Sequence, residues 1–314
     1  MKALNFKIKI ILAAILIAGS GLHAQELKKE LHKEFDTNKS TQFIIKGKFG
    51  NLGLNSWDKN QAVFDVVIKV KNKDDAKAQK IIDKLTVDFK QEGNIITVET
   101  LIGDKTGDDA NGKVNFSIDI RGSLPAGSML DVEHRFGSAE IGEFTGPVKL
   151  DISFGELSAL KLTGPETIIS TSYGEATVGL VENAKAEVSF GELVIQEANN
   201  LELQVNQGEF KAGSANNLSA EVNMGSFNID LIKPGFEEIS IELKAGDVIL
   251  GIDKKAGFTV EAEMKMGSID LPGDIEIISG QDSGMNVDFE AKYGDGKSVV
   301  SLEGKLGSVS IKLK

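Results

Sequence analysis

A four-residue unit recurs through this chain, and its spacing limits what the chain can fold into. The unit is an apolar or polarisable residue, a glycine, a small polar or acidic residue, then an apolar residue. It occurs as Phe136-Gly137-Ser138-Ala139, Phe154-Gly155-Glu156-Leu157, Tyr173-Gly174-Glu175-Ala176 and Phe190-Gly191-Glu192-Leu193. It continues as Gln207-Gly208-Glu209-Phe210, Met224-Gly225-Ser226-Phe227, Ala245-Gly246-Asp247-Val248, Met266-Gly267-Ser268-Ile269 and Leu306-Gly307-Ser308-Val309, with an early copy at Phe49-Gly50-Asn51-Leu52. From Gly137 to Gly267 the glycines stand 18, 19, 17, 17, 17, 21 and 21 residues apart. Self-similarity at so short a period marks a stacked or radial repeat architecture.

Each unit divides into two strands. Before the glycine, apolar residues alternate with polar ones: Val148, Leu150, Ile152 and Phe154 against Lys149, Asp151 and Ser153, and Ala184, Ala186, Val188 and Phe190 against Lys185, Glu187 and Ser189. After it a shorter alternation follows, as in Leu193 and Ile195 or Phe227 and Ile229. A period of two means strands with one buried face, so the first-named residues of each set are expected inside. Glycine between two strands suits a corner, through positive φ or a close backbone approach. Thr145-Gly146-Pro147, Thr163-Gly164-Pro165, Ala198-Asn199-Asn200 and Ala215-Asn216-Asn217 supply the looser turns.

One such unit cannot bury its apolar face alone; stacked copies share a core. The reading is therefore all-β: a single-stranded β-solenoid or β-helix of about ten short coils, roughly 50 Å long at the spacing of stacked strands. An antiparallel sandwich or a propeller also accommodates strands at this frequency. The solenoid is preferred because the tetrad holds a fixed position within each unit.

Residues 25–127 differ and are expected to cap residues 128–314 on their N-terminal side as a small α/β segment. Ala62 to Val70 reads as a long strand and Asp74 to Leu85 as a helix with an apolar stripe of Ile81, Ile82 and Leu85. Thr86–Phe89 and Asn94–Thr100 read as a hairpin, and Leu101–Lys113 as a polar loop. Residues 1–24 read as a signal peptide: Lys2, Lys7 and Lys9, then the apolar run Ile10 to Ala18, then Leu22-His23-Ala24 before Gln25. The run falls short of the ~20 apolar residues a span requires. No later stretch approaches that length, so no membrane span is expected after cleavage.

The chain has no cysteine, which excludes disulfides, thiolate metal sites and cysteine nucleophiles. Its formal charge is −12 over 314 residues, and loss of the three signal lysines takes it to −15. Arginine occurs only at Arg121 and Arg135. Such a balance argues against nucleic acid as a partner.

At this point a resemblance becomes visible. Lys48-Phe49-Gly50-Asn51-Leu52 through Ser56-Trp57-Asp58-Lys59-Asn60, the helix with Val87-Asp88-Phe89, Gly93-Asn94, Leu124-Pro125-Ala126-Gly127, and Phe136-Gly137-Ser138 with Gly142-Glu143-Phe144-Thr145-Gly146-Pro147-Val148 carry it. Together they are similar to the bacterial β-strand-repeat family of unknown function usually labelled "putative adhesin", related to autotransporter-adhesin-head-like domains. The resemblance extends over essentially all of residues 25–314. It implies the fold and export to the periplasm, cell surface or outer membrane of a Gram-negative bacterium, and brings no functional residues with it.

Candidate chemistry is sparse. Glu156, Glu175, Glu192 and Glu209 follow the glycine in four successive units. Stacked, they form a ladder of carboxylates ~5 Å apart, which either repel one another or hold a hard cation such as calcium. Serine occupies the same slot at Ser226, Ser268 and Ser308, which favours a plain solvated corner. Asp104, Asp108 and Asp109 form a second acidic group without the spacing of an EF-hand loop. Beyond the signal, histidine remains only at His32 and His134, and His134 shares the inward register of Leu130, Val132 and Phe136. No serine elbow, phosphate loop or HExxH motif is present. Carboxylates such as Asp151 and Glu187 are the remaining material for a polysaccharide-cleaving site. The outward column Ser153, Ser172, Ser189, Asn206, Asn223, Lys244 and Lys265 offers a polar face to a glycan, or is the wet side of a half-buried sheet. The expectation is a non-enzymatic envelope or surface scaffold that binds glycan or envelope protein without a cofactor. A polysaccharide-active β-helix enzyme and an accessory of envelope signalling are the alternatives.

Overall fold

The computed structural model describes residues 25–103, 115–282 and 286–314. The expected signal peptide and the Asp104, Asp108 and Asp109 cluster lie outside the described residues. The chain divides into two compact units, Met1–Gly155 and Glu156–Lys314. Apart from one short helix, both are built of strands.

The first unit contains β1 (Gln25–Asp36), β2 (Gln42–Lys48), β3 (Leu52–Trp57), β4 (Gln61–Asn72), α1 (Asp75–Ile82), β5 (Leu85–Glu92), β6 (Ile95–Ile102), β7 (Asn115–Pro125), β8 (Met129–Arg135), β9 (Ser138–Phe144) and β10 (Val148–Ser153). The strands that precede a glycine corner, β2, β8 and β10, pair in parallel, β2 with β8 and β8 with β10, and β6 joins them beside β2. The strands that follow a corner, β3 and β9, make a second parallel ladder, which β7 joins beside β3. Each ladder ends in antiparallel pairs: β5 against β6, and β1 against β4 against β7. Phe43, Ile45, Leu54, Phe64 and Phe144 fill the space between the two ladders, fully buried.

Helix α1 starts where Asp74 accepts the backbone N–H of Lys77 at 3.1 Å, with Asp75 in its first turn and Lys80 in its last. It buries Ala78, Ile81 and Ile82 and stops at Ile82. Leu85, expected on the helix, is instead the first, fully buried residue of β5.

The second unit contains β11 (Glu156–Leu162), β12 (Thr167–Ser172), the long β13 (Glu175–Val222), β14 (Gly225–Ile232), β15 (Glu238–Leu243), β16 (Gly246–Ile252), β17 (Phe258–Asp270), β18 (Glu276–Asp282), β19 (Val287–Tyr293) and β20 (Ser298–Leu313). Pairing is again parallel and in register by tetrad: Gly208 opposes Gly225, Gly225 opposes Gly246, and Gly246 opposes Gly307. A Cβ added at Gly191, Gly208, Gly225, Gly246 or Gly307 would strike the carbonyl oxygen of the corner glycine stacked on it. The glycines of this unit therefore lie along one edge, as the repeat requires. At most corners glycine serves close stacking of backbone on backbone rather than unusual torsion.

Two parts of the expected architecture need correction. A single-stranded solenoid of sequential coils has only parallel neighbours, whereas the sheet here is mixed. Antiparallel strands close the second unit as well as the first: β19 pairs with β17 and β18 with β19. The expected cap lay on the N-terminal side alone. An unpaired parallel edge invites association, and a hairpin folded against it removes that edge. The coils also depart from sequence order, because β20 lies between β15/β16 and β17 and pairs in parallel with all three.

Candidate functional site

The corner edge departs most from the sequence reading. Phe136, Phe154, Phe190, Met224 and Met266 continue the inward alternation on paper, yet all are exposed, Phe154 and Phe190 by half. At the aromatic corners, though not at Met224 and Met266, a left-handed torsion accompanies this. Phe49, Phe136, Phe154, Tyr173 and Phe190 have φ between 54° and 59°, and they are the only non-glycine residues with positive φ among those described. A left-handed residue swings its side chain out of the period-two register. For a bulky aromatic this conformation costs about 1–2 kcal/mol. In the first unit Phe49 stacks on Phe136 with ring centroids 4.9 Å apart and planes 8° from parallel, and Phe136 on Phe154 at 5.1 Å and 13°. In the second, Tyr173 and Phe190 stack at 4.9 Å and 3°.

The fold has another way to turn this corner. At Met224-Gly225, Ala245-Gly246 and Leu306-Gly307 the glycine itself takes the positive φ, at 146°, 139° and 135°. The aromatic version is thus a choice of these coils rather than a requirement of the architecture.

The predicted acidic ladder is partly assembled. Glu156 opposes Glu175 in register, while Glu209 opposes Ser226. Lys211 reaches Glu192 at 2.9 Å and Glu209 at 3.0 Å, and this contact holds its ammonium above the usual lysine range. Positive charge for two of the four rungs therefore comes from the protein. Among the described residues no group of three or more His, Asp or Glu side chains is arranged to hold a metal ion.

A second acidic line, not singled out from the sequence, runs across the pre-corner strands. Glu221 opposes Glu242, Glu242 opposes Glu303, Glu303 opposes Glu263 and Glu263 opposes Asp288. Lys244 pairs with Glu221, depressing that carboxyl, and donates to Asn223 at 2.8 Å. The 21-residue spacing of Glu221, Glu242 and Glu263 was the available signal.

Two open grooves, of about 710 and 450 Å³, lie in the second unit, and none of Ser153, Ser172, Ser189, Asn206, Asn223, Lys244 and Lys265 of the predicted polar column lines either. The ion pair of Lys185 with Glu202, 2.9 Å, borders both. Asparagines spaced by 17 residues join the turns of this unit: Asn200 donates to Asn183 at 2.8 Å, Asn217 to Asn200 at 3.0 Å and Asn216 to Asn199 at 2.6 Å. Glu187, a candidate for glycan chemistry, accepts from Asn206 at 2.8 Å. The other, Asp151, opposes Glu133 in the first unit.

His134 lies inside, as its register implied. Its Nε2–H donates to the carbonyl of Gly50 at 2.9 Å, which leaves Nδ1 buried and without a hydrogen-bond partner among the described residues. Opposite it in the ladder is Gly47, where any Cβ would collide with the ring. Burial holds the imidazole below its ordinary value of 6.5, outweighing the Gly50 contact. The unfolded chain thus takes up a proton near pH 6.5 that the folded chain refuses. This contribution to stability is complete above that pH and is lost as pH falls below it. His32 has the opposite sign: Asp65 at 2.7 Å and Glu34 at 3.3 Å raise it, so its contribution is complete at low pH and fades as pH rises through its folded value. In a His32→Asn background the melting temperature is expected to fall between pH 7.5 and 5.5. A flat profile would show that His134 is not held neutral.

No family profile and no curated protein matches the chain. Among solved structures it is similar to a "putative cell adhesion protein" from Clostridium sporogenes, with 14% identity over 91% of this chain and 100% of that one and a TM-score of 0.22. It is similar to a "putative adhesin" from Bacteroides fragilis, with 14% identity over 90% and 97% and a TM-score of 0.37. A "putative lipid binding protein" from Parabacteroides distasonis aligns at 11% identity over 90% and 96%, with a TM-score of 0.34.

Proposed function

We propose that this protein is an exported, non-enzymatic scaffold of the cell envelope or cell surface, an adhesin-like binding protein whose parallel repeats in each unit stack as β-solenoid coils. Residues 1–24 direct export and are removed after Ala24. The observation that carries this reading is the tetrad register. Stacking Gly208, Gly225, Gly246 and Gly307 places like side chains in columns along the exterior. Asparagine, glutamate and lysine columns of this kind suit a long repetitive partner such as a glycan chain. The Glu156, Glu175, Glu192 and Glu209 column belongs to this polar exterior, steadied by Lys211 rather than by a bound cation.

The test is a glycan array probed with the purified protein, followed by analysis of the captured glycans. Binding with the glycan intact is expected. Cleaved product would overturn the non-enzymatic reading in favour of a polysaccharide-active enzyme, and no binding to any envelope glycan would remove the glycan as partner.

A further inference from the structure

The first unit has a pocket of about 350 Å³ where three connections meet: residues 37–41, residues 58–60 after β3 and residues 126–128 after β7. Its wall includes Trp57, the one tryptophan of the chain. Trp57 opposes Pro125 in the β3–β7 ladder, and its carbonyl accepts the N–H of Ala126 at 3.1 Å. Its Nε1–H donates to the carbonyl of Gln61 at 2.7 Å. Backbone and indole are thus both fixed before any ligand arrives, so little ordering remains to be done on binding. Lys59 holds its ammonium 4.4 Å from the indole centroid. An exposed lysine keeps such a position only weakly, so a solvated cation guards this face, not packed protein.

Lys39, Asp58 and Asn60 also line the pocket. All three are exposed, and none of their side chains has a hydrogen-bond or ionic partner among the described residues. Asn38 is different: it donates to Asn94 at 3.1 Å and accepts the N–H of Ser40 at 2.8 Å, which shapes the loop. An aromatic wall with a carboxylate, an amide and an ammonium available beside it suits a molecule that has a C–H face and a rim of hydroxyls. A pyranose ring has both. The volume is at the low end for ligand pockets and gives room for one sugar residue, not a length of chain. The other aromatic and polar surfaces lack this combination. No aromatic side chain lines either groove of the second unit, and in the corner row Phe136 is covered on both faces by Phe49 and Phe154.

We infer, resting on the glycan reading above, that the Trp57 pocket is a saccharide subsite that takes one pyranose residue. The indole packs on the C–H face of the sugar, Lys59 moves aside from the ring, and Asp58 and Asn60 hydrogen-bond the hydroxyls.

Because Trp57 is the sole indole, the intrinsic emission of the protein reports on this pocket directly. The purified protein is titrated with the methyl glycosides of glucose, galactose, mannose and N-acetylglucosamine. At least one is expected to move the emission to shorter wavelength, saturably, and to shield the indole from quenching by acrylamide. Asp58→Asn with Asn60→Ala changes only exposed side chains, keeps the reporter and should weaken that response by about tenfold or more. No saturable change with any of these glycosides, or an equal response in the double variant, would overturn the inference. Shielding from acrylamide is read on the unaltered protein, so a double variant that misfolds leaves the test intact. On the glycan array, a Trp57→Ala protein that binds like the wild type sinks the subsite alone, whereas a wild type that binds nothing sinks the glycan reading with it.

Discussion

Gly225→Val is expected to lower the melting temperature by about 6–12 °C. Two costs combine at this position. Its φ of 146° is one that a side chain rarely adopts, at about 1–2 kcal/mol. Its Cβ would also strike the carbonyl oxygen of Gly208 in the neighbouring coil and approach that residue's carbonyl carbon and nitrogen to 3.1 Å. The obstacle is backbone held in a ladder, so no rotamer change relieves it, and overpacking of this kind adds about 1–3 kcal/mol. A loss of roughly 3 kcal/mol in a unit of this size corresponds to the shift stated. Gly273→Ala is the control, since an added Cβ there meets nothing within 4 Å. Thermal denaturation followed by circular dichroism reads both. Equal melting of Gly225→Val and wild type would show that the corner glycines are not stacked in register.

The second large effect separates two stacked aromatic pairs that look alike in sequence. Phe210 and Phe227 stack at 5.2 Å on the inner side of adjacent coils, both buried. Truncating Phe227 to Ala removes a fully enclosed ring and leaves a cavity, at a cost of about 3–5 kcal/mol. Phe190, stacked on Tyr173, sits outside in a strained torsion. Phe190→Asn gives up the ring contact but relieves the strain, for a net change of about 1 kcal/mol or less. Denaturant midpoints should therefore separate the variants widely. Similar losses would mean that the corner rings are structural pillars.

That contrast shows what could be read from the sequence. The alternation of Val148, Leu150 and Ile152, the glycine column and His134 on the inside all follow from a period of two, because each residue in those stretches is extended. The alternation fails at Phe154 and Phe190, where one left-handed residue reverses the side chain, and no count of periods registers a torsion. Position of the ring before glycine was visible; its direction was not. Neighbour order was equally hidden. Every tetrad offers the same pairing surface, so nothing local tells β16 that its partner is β20 and not β17. The acidic line through Glu221, Glu242, Glu303, Glu263 and Asp288 depends on that order and became legible only with it. Strand β1 escaped because its charged run Glu26-Leu27-Lys28-Lys29-Glu30 shows little apolar alternation, and its pairing with β4 supplies the missing definition.

The position of β20 bears on how the protein comes into being. A repeat whose coils stack in sequence order closes as it emerges, each coil using the previous one as its template. Here that process halts after β16. The coil of β17 has no parallel neighbour to lie on until residues 298–313 have been made, and Gly307 reaches its place beside Gly246 only by closing a loop of some sixty residues. Contacts of such sequence separation form late. Synthesis and assembly are therefore out of step at this end of the molecule. For as long as they remain so, the ladders of β15 and β16 stand open, and whatever accompanies the nascent chain must keep that slot vacant for the strand that arrives last.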